Sequence, residues 1–435
     1  MKKILTVLLL CITINSYAQK TDFYVCELAN KLDWFALNNE YPKLKDSVRY
    51  DHIRLFAEGI LSHYFNRPQE SIEKLTDLVN NHQQEIGTMT ALNLIPSIMQ
   101  DYEFLGKYKI IAEKTGSVLE TLKGQPIDLR TIQDYYNRCK VLESYPAQTI
   151  YRKNKDIIVK FSEKYDGVSP FKENKTIDSL IYFPVTCNGK TYQFILDTGA
   201  KSTFLSKRFA KEIGAKMIEG YEDEIGTCAF IDSLQIGGGI TFKNIIAVVD
   251  KGGSPGRAVN TDGGVNVDAI LGIDFLRLVG EIRIDFRNHT LTFPYSFTPK
   301  PQYGSNIRMD DSGGIALEVR DSTGLQQIIF DTGVVATTFN YRYFKKHENE
   351  LLPLFDKTDK REITGGGLSS SYYYRMVMRV PAIKFDAFGK SISVKDKFVA
   401  YTPNDDESWN AFGMDFVKQF NKVTINFKDM FMTVE

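Results

Sequence analysis

One tripeptide occurs twice, Asp197-Thr198-Gly199 and Asp331-Thr332-Gly333, each time directly behind an apolar run, Phe194-Ile195-Leu196 and Ile328-Ile329-Phe330. A single copy would read as an ordinary exit from a strand into a turn. Here the surroundings are duplicated too. Ile270-Leu271-Gly272-Ile273-Asp274-Phe275-Leu276 is echoed 141 residues later by Ala411-Phe412-Gly413-Met414-Asp415-Phe416-Val417. At the same offset of 141, Glu281 to Arg287 is matched by Lys422 to Lys428, with the apolar alternation of a strand and a polar turn behind it. The tripeptides are 134 residues apart, so the second copy spaces its glycine seven residues further on. Upstream of each lies a hairpin pattern: Ile181 to Val185, Asn188-Gly189 and Thr191 to Leu196 in one, Ile315 to Val319, Asp321 to Gly324 and Leu325 to Phe330 in the other. A whole β lobe is therefore present twice, expected at 175–298 and 304–435, with Pro294 to Pro301 between.

Duplicated aspartates suit the hydrolysis of a peptide bond. A neutral water attacks an amide poorly, so a site must take a proton from water and give one to the carbonyl oxygen or the leaving amine. Two carboxyls sharing one proton do both. Like charges in close contact cannot both ionise cheaply, so one carboxyl holds its proton and the other loses it. Such a pair titrates as a unit, and the sequence does not assign the proton to either member.

These motifs resemble those of the aspartic peptidases, and among them the retropepsin-like branch: a hydrophobic strand, Asp-Thr-Gly, then two hydrophobic residues and a glycine, here Ile270-Leu271-Gly272 and Ala411-Phe412-Gly413. The resemblance covers about residues 175 to 435. It implies a bilobal all-β acid protease fold, with Asp197 and Asp331 catalytic and Thr198, Gly199, Thr332, Gly333, Gly272 and Gly413 supporting them. Retropepsins dimerise to complete a site. Two short lobes in one chain imply that a monomer suffices. The threonines are expected to exchange hydroxyl bonds across the lobe interface, and the glycines to let the backbone turn tightly enough to bring amides to the carboxylates. Many pepsin-like enzymes carry Ser or Thr after the tripeptide, where this chain has Ala200 and Val334. Losing a donor to the ionised form raises its pKa, so the activity optimum is expected above that of strongly acidic pepsins. Flap hairpins over an extended substrate are expected near Tyr221 to Ile231 and Ile363 to Met376.

Residues before the repeat have another texture. Ile53, Phe56, Ala57, Ile60, Leu61 and Tyr64 fall at helical spacing, and turns at Asn66-Arg67-Pro68 and Gly106-Lys107 divide helices. Residues 19–165 are read as an α-helical hairpin array resembling tetratricopeptide repeats, with Gly59, Ser71 and Leu75 near the expected small and large positions and Pro96 interrupting a helix. The boundary is placed at Asp166 to Asn174. This array could present a groove to a protein partner or substrate, mask the cleft, or only pack as a cap.

Lys2-Lys3, the apolar run Ile4 to Ile14 and Ser16-Tyr17-Ala18 follow the order of a cleaved signal, residues 1–18, which implies export to the periplasm or exterior. No later run is long and apolar enough to span a membrane. Lys plus Arg and Asp plus Glu are 54 each, giving a net charge of zero and no pull towards nucleic acid. The scattered histidines and absence of a CxxC pair argue against a metal, and no cofactor is implied. Export would permit disulfides Cys187–Cys228 or Cys26–Cys139; buried thiols fit equally. The Gly237-Gly238-Gly239 and Gly252-Gly253 clusters read as turns. The function expected is an exported aspartic endopeptidase acting on a peptide or protein. The alternative is a non-catalytic binding module with a vestigial cleft.

Overall fold

Helical spacing in the first third of the chain and strand alternation in the rest separate into two units, Met1–Ala147 and Gln148–Glu435. The structure, a computed structural model, describes residues 17–164, 180–222, 226–250, 268–311, 313–354, 361–366, 372–402 and 410–435.

In the first unit, helices Asp51–Tyr64 and Pro68–Asn81 form a hairpin, as do Thr88–Phe104 and Tyr108–Thr121. The stripe of Ile53, Phe56, Ala57, Ile60, Leu61 and Tyr64 is buried, as the spacing predicts. Gly59 permits the first pair to close, since a Cβ there would meet Leu75 Cδ2 at 2.5 Å. Asn66 and Gly106 take the left-handed conformation at the two turns, with φ of 58° and 64°. Pro96 does not interrupt its helix, contrary to expectation: Thr88–Phe104 runs through it. The bond lost at its missing N–H is outweighed by burial of Leu94, Ile95, Ile98 and Met99 around it. A buried pair, His63 Nδ1 to Asp101 Oδ2 at 2.9 Å, ties Asp51–Tyr64 to Thr88–Phe104.

The last helix of this unit, Arg130–Leu142, ends well before the expected boundary. Strands Thr149–Arg152, Ile157–Lys160 and Ser162–Lys164 follow and pair with the β region, so 149–164 leaves the helical segment. Alternation explains the difference: Ile157 and Val159 are buried while Ile158 and Lys160 are exposed, a two-residue period. Asp166 to Asn174 lies outside the described residues, as do 1–16 of the expected signal and Gly252-Gly253.

In the first lobe, Leu180–Cys187 and Lys190–Leu196 form a hairpin whose turn residues Asn188 and Gly189 both have positive φ, 50° and 77°. Ala269–Leu271 runs parallel beside Lys190–Leu196, with Ile270 facing Ile195 and Leu271 facing Leu196. The second lobe repeats this: Ile315–Asp321 pairs with Gly324–Phe330, and Ala411–Phe412 lies parallel with Ala411 facing Ile329 and Phe412 facing Phe330. Gly237-Gly238-Gly239 turns between Gly226–Ile236 and Ile240–Asp250.

A shared sheet joins the lobes. Glu281–Asp285 pairs antiparallel with Lys422–Asn426, placing Arg283 opposite Thr424, its own counterpart at the 141 offset. Glu281 faces Asn426 and Asp285 faces Lys422, so the register is symmetric about that pair. A local two-fold axis therefore passes through Arg283 and Thr424. Glu281, fully buried, is neutralised in place by donors from Arg283 Nε, Thr298 N, Thr298 Oγ1 and Asn426 Nδ2 at 2.6–2.8 Å.

Cys26, Cys139, Cys187 and Cys228 are thiols, so neither disulfide that the sequence permits is formed. Among the described residues, no helix is long and apolar enough to cross a membrane, and no cluster of potential metal ligands occurs.

Candidate active site

Each Asp-Thr-Gly segment leaves a central strand at the lobe interface, and the two threonines bind each other's loops. Thr198 N donates to Thr332 Oγ1 and Thr332 N to Thr198 Oγ1, both at 3.0 Å. Thr198 Oγ1 donates to the Phe330 carbonyl and Thr332 Oγ1 to that of Leu196, both at 2.8 Å. Both threonines are completely buried. Four reciprocal bonds thus fix the tripeptides face to face, with each hydroxyl acting once as donor and once as acceptor.

That arrangement sets the Asp197 carboxyl against Gly333 and the Asp331 carboxyl against Gly199, so the two acids face each other across the lobe interface. Gly199 and Gly333 are required there for a reason other than the one the sequence suggests. Neither has positive φ; a Cβ on Gly199 would fall on the Asp331 carboxyl, and one on Gly333 on that of Asp197.

The two carboxyls are not equivalent. Gly199 N and Ala200 N donate to Asp197 Oδ1 at 2.8 and 3.0 Å. Gly333 N donates to Asp331 Oδ1 at 2.7 Å, while Val334 N turns instead to the Asp331 main-chain oxygen at 3.3 Å. Burial raises both pKa values. Asp197 is held back by its two amides and by the bond from Asp331. Asp331 is pushed well above the usual carboxylate range by burial and the neighbouring Asp197 charge, with one amide opposing. The unequal donors thus make Asp331 the more costly member of the pair to ionise.

Gly272 and Gly413 lie behind these loops. A Cβ on Gly272 would stand 2.5 Å from the Ala200 carbonyl oxygen, and one on Gly413 2.6 Å from that of Val334. The close approach lets Ile273 N reach the Ala200 oxygen and Met414 N that of Val334, each at 2.8 Å.

Two further pairs went unassigned as site residues in the sequence, although the repeat contains them. Thr203 and Thr337 each stand six residues after their aspartate, and Asp274 and Asp415 two residues after Gly272 and Gly413. Thr203 N and Oγ1 donate to Asp274 at 2.9 and 3.4 Å; Thr337 N and Oγ1 donate to Asp415 Oδ1 at 2.8 and 2.6 Å. Identical Asp-Phe steps in the two copies were the available signal.

Both expected flap segments lie on hairpins: Lys216–Glu222 pairs with Gly226–Ile236, and Arg361–Gly366 with Tyr372–Ala387. Their tips, 223–225 and 367–371, lie outside the described residues, and with them Gly367 and Ser369 to Ser371.

Residues 183–275 match the model of the aspartyl protease family. The match spans the first tripeptide, Thr203, Gly272 and Asp274. No curated protein matches the chain. Among solved structures, a retropepsin-like aspartic protease from Rickettsia conorii aligns at 23% identity and a TM-score of 0.20, covering 34% of this chain and 93% of that one. Basic 7S globulin from soybean aligns at 7% identity and a TM-score of 0.37, covering 63% and 95%. Conglutin gamma from lupine seeds gives 8%, 0.35, 62% and 92%. Scores this low describe similarity too weak to carry an argument.

Proposed function

We propose that this protein is an aspartic endopeptidase, in which Asp197 takes a proton from water while Asp331 gives one to the carbonyl oxygen of a peptide bond. The observation that carries this reading is a pair of facing carboxyls made unequal by their amide donors. Asp197, bonded by Gly199 N and Ala200 N, is the base; Asp331, with its raised pKa, is the acid. After attack the roles exchange, and the proton on Asp197 goes to the leaving amine. Two carboxyls and one water complete the proton balance, so the step calls on no cofactor. Thr198, Thr332, Gly199, Gly333, Gly272 and Gly413 hold the geometry. The aspartyl protease match over residues 183–275 supports the same reaction class.

An extended peptide or protein segment is the substrate class, lying beneath the hairpins of 216–236 and 361–387. One chain supplies both carboxyls, so a monomer is proposed as the active form. Export to the periplasm or exterior is proposed from the charged, apolar and small-residue order of residues 1–18. The helical unit is given no catalytic step; presenting a partner or substrate is its proposed role.

The test is incubation of purified protein with a mixed peptide library from about pH 3 to about pH 8, beside Asp197→Ala and Asp331→Ala, with and without a statine-type inhibitor. Cleavage lost in both variants and blocked by the inhibitor is expected. Cleavage retained by both variants refutes the mechanism. Library binding without cleavage by the unaltered protein would favour the vestigial-cleft reading, for which the thinner donor set around Asp331 is the motive.

A further inference from the structure

Behind each catalytic loop a threonine is clasped by an aspartate, and the two aspartates divide their oxygens differently. In the first lobe, Asp274 Oδ2 accepts from Thr203 N at 2.9 Å, while Oδ1 accepts from Phe275 N at 2.8 Å and from Thr203 Oγ1 only at 3.4 Å. In the second lobe both bonds from Thr337 converge on one oxygen, Asp415 Oδ1, from N at 2.8 Å and from Oγ1 at 2.6 Å. The other oxygen, Oδ2, is ion-paired with Lys397. An ammonium group on Oδ2 turns the carboxyl so that Oδ1 meets both donors of Thr337.

Strand register places Ala247 where the second lobe has Lys397. Phe204 faces Val248 and Thr338 faces Phe398 in the equivalent parallel pairs, and Ala247 and Lys397 are the preceding residues. Both are buried. A lysine is costly to desolvate, and the clasp itself does not require one, since the first lobe closes it beside a methyl group. What sets the second loop apart is its carboxyl. Asp331 receives one amide where Asp197 receives two, because Val334 N turns to the Asp331 main-chain oxygen. The loop with fewer bonds at its front is thus the one with an ion pair at its back.

The connection is continuous. Lys397 holds Asp415, Asp415 holds Thr337, Gly413 N donates to Thr337 Oγ1 at 3.1 Å, and Met414 N donates to the Val334 carbonyl at 2.8 Å. Lys397 lies on Lys390–Ala400, the strand between Thr338–Phe339 at the exit of the loop and the hairpin arm Tyr372–Ala387. Ala336 of the loop packs on Val377, Phe398 and Ala400 of those two strands. We propose that Lys397 is a positioning residue for Asp331: by turning Asp415 it fixes Thr337, and with it the second catalytic loop, in place of the amide that Val334 withholds. The inference rests on the reading of Asp331 as catalytic.

Amide hydrogen exchange on the full chain, at one fixed pH, tests this without reference to activity. After correction for intrinsic exchange chemistry, the Thr337 amide of the unaltered protein is expected to exchange about tenfold more slowly than the Thr203 amide. Equal exchange, or slower exchange at Thr203, overturns the proposal. Lys397→Met should bring Thr337 to the level of Thr203 and lower kcat about tenfold with KM retained. It also leaves Asp415 buried without a counter-charge, so thermal stability falls as well. Combining Lys397→Met with Asp415→Asn separates the two effects. The double variant should recover thermal stability, while kcat and Thr337 exchange stay at the level of Lys397→Met because nothing turns the side chain. Recovery of kcat and exchange together with stability would show that Lys397 only balances charge, and would overturn the positioning role. Should neither variant fold, the comparison of Thr337 with Thr203 in the unaltered protein decides. If no peptide is cleaved at any pH, the proposed function falls while exchange at Thr337 still decides what Lys397 holds.

Discussion

The two lobes perform the same three tasks with different chemistry. Each must present a carboxyl, clasp the loop that carries it, and anchor its first hairpin to the following helix. Asp197 receives two amides where Asp331 receives one. Asp274 is clasped by neutral donors where Asp415 also has Lys397. At the hairpin, Asn188 Nδ2 donates to the Ile213 carbonyl at 2.8 Å in the first lobe, while the second uses an ion pair, Asp321 Oδ2 to His347 Nε2 at 2.9 Å. The bonds that the threonine hydroxyls make across the pseudo-dyad have equal paired lengths, 3.0 Å as acceptors and 2.8 Å as donors. Geometry at the axis admits little variation because each lobe is the other's wall. Charge away from the axis can diverge, provided each buried group finds a partner.

The largest expected effect breaks that comparison at the dyad. Asp197→Asn and Asp331→Asn should each lower kcat by about a thousandfold, since either change removes one of two coupled proton transfers. Their stabilities should rise, not fall, at neutral pH. Both carboxyls have raised pKa values, so each is more costly ionised in the fold than in the unfolded chain, and amides remove that cost. Urea unfolding beside the activity assay checks both halves; a destabilised, active variant would contradict the assignment.

Next in size is the threonine exchange. Thr198→Val and Thr332→Val should each destabilise by about 3 kcal/mol, because each strands a buried amide and a buried carbonyl of the opposite lobe. The two losses should be nearly equal, because each hydroxyl makes one of two matching pairs of bonds. Unequal losses would show that the axis is less symmetric than its bonds.

How far this was legible in the sequence follows the same division. Duplicated strands, tripeptides and glycines gave the lobes, because backbone requirements recur identically in both copies, whereas the reciprocal threonines were implied by the resemblance to aspartic peptidases. The reason for Gly199 and Gly333 was not legible, since a facing carboxyl on the other lobe leaves no trace in local sequence. Residues 149–164 were assigned to the wrong unit because Ile157 and Val159 find their partners, Phe293 and Leu291, over a hundred residues away. Pro96 shows the reverse error: a strong local signal overruled by packing on both sides of it.

A smaller effect should separate the lobes by pH. Burial would raise Asp321, but its bonds from His347 and Thr323 prevail and hold it at about 2. Burial would lower His347, but Asp321 and the Tyr343 carbonyl prevail and raise it. Asp321 then contributes stability above its unfolded value near 4, lost as pH falls towards about 2; His347 contributes below about 6.5, lost as pH rises through its raised value. The second lobe should be most stable between those limits, by about 1–2 kcal/mol, counted once for the pair. Asn188 in the first lobe does not titrate. Thermal unfolding of Asp321→Asn against pH should lose the maximum that the unaltered chain shows.

The smallest effect sharpens the comparison at Val334. Its amide bonds the Asp331 main chain, and its side chain offers no donor where a hydroxyl could serve the carboxyl. Val334→Thr nearly preserves volume and β-branching while adding an O–H within reach of the Asp331 loop. A donor to the ionised form lowers its pKa, so the alkaline limb of the pH profile should move down by about half a unit. Ala200→Ser should move the acid limb down instead, because Asp197 is the member already ionised. If both substitutions shifted the same limb, the proton would not be held preferentially by Asp331, and the unequal amide donors around the two carboxyls would have no consequence for catalysis.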